Sequence, residues 1–333
     1  MILTWKILNN KKGLVSSPFI FVLNLPFLLT YSRFGDKISV KINEMSEEMK
    51  LKLGNVIGGG EKSYQKLAEY GYQCADFQLA NTESFWYTCS ADEFEKGLKR
   101  EKAWADENGI EIHQAHGPWD KLDIELSQDF SYEKFRKLLE IRKRSISACP
   151  YLGCKNWVIH PIFPYTSDDT LKGMEEETYK RNVEFYSELV ETAREYDVTI
   201  CFENMPHVRF SLAEVDKIKL VIDEIGDEHF KACLDTGHVN CFTTRNLGDA
   251  VRVLGKDLRV LHVHDNKVVR DSHEFPYFGT ADWDSFYEGL VDVGYNGVFN
   301  LETTPSWKLE PGLYDDMAKC LVRIAKQIIH YDE

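Results

Sequence analysis

A chain of 333 residues, 43% hydrophobic and 28% charged, is long enough for one large α/β domain or two small ones, and has the balance of a globular rather than a disordered protein. Its net charge of −14 argues against a basic stripe that displaces counterions from phosphates, so neither nucleic acid nor an anionic membrane is an expected partner. The eight cysteines form no Cys-x-x-Cys pair, and even Cys149 and Cys154, flanking a Pro-Tyr-Leu-Gly turn, read as free, partly buried thiols of a cytoplasmic protein.

Residues 1–44 differ from the rest. Lysines precede an apolar run, but Asn24 and Pro26 interrupt it, no small-x-small cleavage site follows, and it is too short to span a bilayer. The expectation is a leader that is disordered or an artefact of the start site, with the domain occupying 45–333 and beginning near Met45 or Met49. An export or anchoring role for the leader is the alternative.

From residue 50 a short apolar strand, a polar turn and an amphipathic helical stretch recur. The expected strands are 51–57, 71–79, 110–116, 156–161, 198–204, 230–237, 259–265 and 297–303. Helical stretches fall between them, among them 90–109 and 176–197, and a last one at 315–332 closes the chain. Short, mostly apolar strands suit a parallel sheet covered by helices. Eight β-α units in succession predict a single-domain (β/α)8 TIM barrel, with a doubly wound sheet as the alternative.

Polar residues fall repeatedly at the expected C-terminal strand ends, where barrel enzymes carry their chemistry: His116, His160, Glu203, Asp235 with His238 three residues on, His264, and Glu302. A lone histidine at a strand end is usually structural. Six successive strands ending this way converge on one mouth, where carboxylates and imidazoles would repel or shift each other's pKa unless a cation sat among them. A mixed His/Asp/Glu set suits manganese, zinc, cobalt or iron better than calcium. His262 and His264 lie two apart and share a face; His264, nearer the end, is the better ligand, and His262, one layer deeper, is expected to hold a neighbouring carboxylate. Arg270, Asp271 and His273 follow in the loop, and Asp282 is the expected cap of the next helix.

The motifs "FENMP", "LDTGH", "HVHDN", "DSHEFPYFGTADW" and "LET", in this order over about residues 50–330, resemble the sugar-phosphate isomerase/epimerase superfamily, the xylose-isomerase-like barrels that also include endonuclease IV. The resemblance implies one divalent metal, Mn2+ first with Mg2+, Co2+, Fe2+ or Zn2+ as alternatives, held by Glu203, Asp235, His264 and Glu302. It implies that Glu203 and Glu302 are the acid/base pair of a sugar isomerase or epimerase working through an enediolate, with His160 and His238 completing the catalytic group. His116, His238, Arg270 and Trp119 are its substrate-binding candidates. Asp271 and His273 are candidates for additional metal, because the nine ligands that endonuclease IV places around three zinc ions each find a counterpart: His116, His160, Glu203, Asp235, His238, His264, Asp271, His273 and Glu302.

The loops favour a neutral small-molecule substrate. Asp168, Asp169, Glu175, Glu176 and Glu177 follow the fourth strand against one lysine, which disfavours DNA and sugar phosphates. Trp119, Phe163, Tyr165, Phe275, Tyr277 and Phe278 offer stacking faces for a sugar or an aromatic aglycone, or serve as packing. Arg209 stands where ketose 3-epimerases carry a substrate-binding glutamate, which argues against a free ketohexose. The expected function is therefore a metal-dependent isomerase or epimerase of a sugar or sugar derivative, in a homo-oligomer. The alternative is a lyase of the C-glycoside deglycosidase type acting on a 3-oxo-glycoside with a small partner subunit, and behind it an endonuclease.

Overall fold

A computed structural model describes residues 50–119, 130–162, 175–206, 212–241 and 245–331. The leader, the candidate starts Met45 and Met49, Phe163, Tyr165, Asp168, Asp169 and Arg209 lie outside the described residues. Eight parallel strands form one sheet: β1 Lys52–Ile57, β2 Cys74–Gln78, β3 Glu111–His116, β4 Asn156–Ile159, β5 Thr199–Glu203, β6 Phe230–Asp235, β7 Leu258–His262 and β8 Val298–Leu301. Each pairs with its sequence neighbours, and β1 also pairs with β8. Just past β7, the Val263 N–H donates to Asn300 O at 2.9 Å and Val263 O accepts from the Glu302 N–H at 3.0 Å, which closes the circle. The doubly wound alternative, an open sheet, is excluded by that closure.

A helix follows every strand: α1 Glu61–Tyr70, α2 Ala91–Glu107, α3 Tyr132–Ile146, α4 Glu175–Tyr196, α5 Val215–Ile225, α6 Leu247–Leu254, α7 Trp283–Val293 and α8 Pro311–Ile328. Their starts are written locally. Ser90 and Glu93 make a reciprocal capping box on α2, and the Asp282 side chain accepts from Ser285 N–H on α7. Helix α8 begins four residues before the expected stretch, because Glu310 caps it from Gly312 and Leu313 N–H and Pro311 is tolerated in a first turn. The helices cover the sheet with rings and branched side chains; Phe135 meets Phe185 at 5.0 Å, and Tyr186 meets Phe202 at 4.9 Å between ring centroids. No helix of the described residues is long and apolar enough to cross a membrane.

The strands are shorter than the apolar runs that announce them. β4 stops at Ile159, before His160, and β7 stops at His262, two residues before His264. Both histidines belong to the chain leaving the sheet, not to its ladder. Inside the barrel, Val158, Cys201, Cys233 and Val260 form a small apolar group. By the alternation of strands, Glu203, Asp235 and His262 lie one layer above it on the same faces.

Candidate active site

The floor of the mouth is a polar layer. Asp76 of β2, Gln114 of β3, His262 of β7 and Asn300 of β8 are all buried. Asp76 Oδ2 accepts from Gln114 Nε2 and from His262 Nε2, each at 2.9 Å, with Asn300 Nδ2 at 3.5 Å. The other nitrogen of His262, Nδ1, lies 2.9 Å from Glu203 Oε1 and 3.3 Å from Glu302 Oε2. His262 thus holds a neighbouring carboxylate.

Around Glu203 the rings converge. His116 Nε2 lies 3.5 Å and His160 Nε2 3.3 Å from its Oε2, yet that oxygen, fully buried, makes no aligned hydrogen bond. Next to it, Asp235 uses Oδ1 to accept from His238 N–H at 2.6 Å, capping the turn Thr236–Asn240, and turns Oδ2 to His264 Nε2 at 3.1 Å. The His264 ring stacks on His273 with centroids 3.9 Å apart. Asp271 Oδ2 lies 3.2 Å from both His238 Nε2 and His273 Nε2, while its buried Oδ1 makes no hydrogen bond and lies 3.7 Å from His264 Nε2.

These donors fit a cation. Ligand atoms of His116, His160 and Glu203 lie within 4.8 Å of one another, as do those of Asp235, His238 and His264, and those of His264, His273 and Glu302. The orphaned oxygens of Glu203 and Asp271 are buried acceptors that a bound ion would satisfy. The four ligands expected from the sequence are linked: Glu203 and Glu302 through His262, Asp235 and His264 directly.

The crowding sets the electrostatics. Burial pushes the Glu203 carboxyl up, but the His262 charge and the rings of His116 and His160 outweigh it and hold it well below the usual carboxylate range. Glu302 goes the other way: burial and the charges of Glu203 and Asp235 raise it, against the pull of His262 and His273. Burial brings His160 down to about 4. Against burial, Asp235 and Asp271 push His238 up to about 10, and Asp271 and Glu302 push His273 up to about 9.

The loop after β7 is organised by a residue that the sequence reading left unassigned. The buried Asp265 carboxylate accepts from the N–H groups of Asn266, Tyr277, Thr280 and Ala281 and from Trp283 Nε1, pinning both ends of the segment that carries Asp271 and His273. Two glycines permit the close approaches. A Cβ on Gly279 would stand 2.1 Å from Asp265 Oδ1, and one on Gly237 would stand 1.9 Å from His264 Cε1. Asp76, Gln114, Asn300 and Asn204, whose carbonyl faces His238 Nδ1 at 2.7 Å, were also missed. Their signal is slight: Asp76, Gln114 and Asn300 are polar residues within strands, and Asn204 follows the last residue of β5.

All nine residues matched to the metal and catalytic motifs converge on this mouth. Arg270 is exposed on the loop after β7. Trp119 is 41% exposed, with its ring 6.2 Å from that of His160. Phe275 is buried in the core, so it offers no stacking face, whereas Tyr277 and Phe278 are exposed. Glu175–Glu177 belong to the first turn of α4, where Glu176 pairs with Lys180 and Glu177 with Arg181, so part of the acidic rim is neutralised.

The profile of the xylose isomerase-like TIM barrel family matches residues 64–324, and the chain belongs to that family. It is 26% identical to a D-psicose 3-epimerase of Enterocloster bolteae over 249 residues, 73% of this chain and 76% of that protein. Its fold superposes on a crystal structure of D-psicose 3-epimerase with D-fructose at a TM-score of 0.68 and 17% identity, covering 84% of this chain and 99% of the other. It superposes on a 3-keto-D-glucoside 4-epimerase of E. coli at 0.65 and 18%, covering 82% and 100%. At these identities the two structures share the fold.

Two outcomes are expected. Gly237→Ala should push the His264 ring off Asp235 and lower bound metal per chain, measured by elemental analysis, with the circular dichroism spectrum retained; wild-type metal content would mean that the backbone absorbs the methyl group. The metal-free chain should lose stability in thermal melts as pH rises from about 7 to about 10. His238 and His273 have folded values of about 10 and about 9 against about 6.5 unfolded, so their contribution is complete below about 6.5 and is lost as pH climbs through the folded values. A flat profile over that range would show that the two rings are not charged in the folded chain.

Proposed function

We propose that this protein is a divalent-metal-dependent epimerase or isomerase of a sugar or sugar derivative, with Glu203, Asp235, His264 and Glu302 as the ligand set and Mn2+ the first candidate ion. One observation carries the reading: two carboxylates far apart in sequence, buried Glu203 at the end of β5 and partly buried Glu302 just past β8, share the same ring nitrogen of His262 and are shifted in opposite directions. Carboxyls pushed apart in this way divide acid from base. When bound, the ion supplies positive charge that polarises a substrate carbonyl and offsets the negative charge developing on it. Glu203, kept ionised, takes the proton from the carbon beside that carbonyl. Glu302, which keeps its proton more readily, returns one. His116, His160 and His238 stand around Glu203 and complete the catalytic and substrate-binding group. The kinship with D-psicose 3-epimerase and the fold shared with 3-keto-D-glucoside 4-epimerase support a sugar substrate. Arg209, in place of the glutamate of ketose 3-epimerases, favours a derivative such as a 3-oxo-glycoside over a free ketohexose.

The test is NMR in D2O of the Mn2+-loaded protein with D-psicose, D-fructose, an inosose and a 3-oxo-glucoside, following loss of the proton next to the carbonyl. Release of an aglycone instead of an epimer would identify the lyase. Glu302→Gln should cut epimer formation about 10²–10⁴-fold, while deuterium still enters one epimer through Glu203. Epimerisation at the wild-type rate would remove Glu302 from the proton pair.

The placement of Asp271 between His238 and His273 favours a second reading, in which the nine residues hold three ions as in endonuclease IV. Elemental analysis of protein purified without added metal separates the two. About one ion per chain supports the epimerase. About three zinc ions per chain support the phosphodiester-cleaving reading, and abasic DNA becomes the substrate to assay.

A further inference from the structure

Beneath the acid–base pair lies Asp76, on β2, with no solvent exposure. A carboxylate this deep is costly unless it is paired and hydrogen-bonded. Its Oδ2 takes three side-chain N–H groups, from Gln114 and His262 at 2.9 Å and from Asn300 at 3.5 Å, while Oδ1 has no hydrogen-bond partner. The bond to His262 Nε2 matters most, because the ring's other nitrogen, Nδ1, faces Glu203 Oε1 at 2.9 Å and Glu302 Oε2 at 3.3 Å. One rigid ring therefore joins the floor of the barrel to both carboxylates of the mouth. An imidazole bonded at both nitrogens cannot rotate without breaking both bonds. His116 stacks on one face of it at 5.5 Å and 13°, limiting tilt as well. The far carboxylate oxygens are left to the mouth, and their direction is set by where Nδ1 points.

We propose that Asp76 is a positioning residue: by holding His262 Nε2 it fixes the direction of the ring's Nδ1 edge, against which Glu203 and Glu302 lie. The inference deepens the epimerase reading and rests on it for its consequence in proton transfer. The orientation itself can be tested without it. Groups that hydrogen-bond the ligands and catalytic side chains of a metal site from behind typically change affinity or activity about 10–100-fold when removed.

The experiment uses the full chain with ring-15N-labelled histidine, free of metal, as wild type, Asp76→Ala and Asp76→Asn, with His262→Gln to assign the signal. The expected result is a His262 ring N–H resonance, on Nε2 or Nδ1, shielded from solvent exchange in the wild type, and at least about tenfold faster exchange in Asp76→Ala at an unchanged circular dichroism spectrum. Asp76→Asn, which keeps the shape and one acceptor oxygen, should show a smaller change in the same direction, and it decides the matter if Asp76→Ala does not fold. On whichever sugar the Mn2+-loaded wild type turns over, kcat should fall about 10–100-fold with KM within about twofold. A merely structural Asp76 would lower the melting temperature and leave both the ring N–H exchange and kcat where they are; that result overturns the proposal. If the wild type exchanges no proton on any sugar tested, the epimerase reading fails, and the His262 ring N–H exchange still decides whether Asp76 sets the ring.

Discussion

Negative charge crowded into a dry barrel mouth is the constraint on which the rest of this structure depends. Asp76, Glu203, Asp235, Asp271 and Glu302 are held close together with little or no solvent. Two like charges about 4 Å apart repel by about 4 kcal/mol even at an effective dielectric of about 20. The chain meets this cost with imidazoles. His262 stands between Asp76 and the two glutamates, His264 against Asp235, and His238 and His273 on either side of Asp271. What the rings leave unsatisfied, the buried oxygens of Glu203 and Asp271, is what a divalent cation would take up.

Holding these groups in register shapes the surrounding backbone. Closure of the sheet between Val263 and its β8 neighbours brings Glu302 beside the β7 residues. The short turn after β6 must be Gly237 because the His264 ring lies against its Cα. The β7 loop is wound around the Asp265 carboxylate, which collects N–H groups from both of its ends. The residues of "HVHDN" and "DSHEFPYFGTADW" thus divide their work: some face the mouth, and others exist to aim them.

The geometry also bears on substrate choice. The acidic first turn of α4 is partly neutralised by Lys180 and Arg181, so the rim repels phosphate less than the bare sequence implies. Exposed Trp119, Tyr277 and Phe278 leave aromatic faces on the loops that follow strands, suited to the apolar face of a sugar ring or to an aglycone. Arg270 is exposed on the loop after β7.

Much of this was legible in the sequence. The period of apolar runs predicts eight strands and the helices between them, and a polar residue at the end of strand after strand predicts a shared mouth, because parallel strands closed into a barrel must present their ends together. Glu203, Asp235 and His264 announce themselves in that way. The floor does not. Asp76, Gln114 and Asn300 sit within strands 2, 3 and 8, and only the folded barrel brings them together under His262, since contacts across a barrel interior leave no trace in sequence spacing. The same holds for the role of Asp265, whose hydrogen bonds depend on where a loop returns. Local chemistry determined which residues are available; closure of the sheet decided which of them meet, and so which carboxyl is pushed up and which is held down.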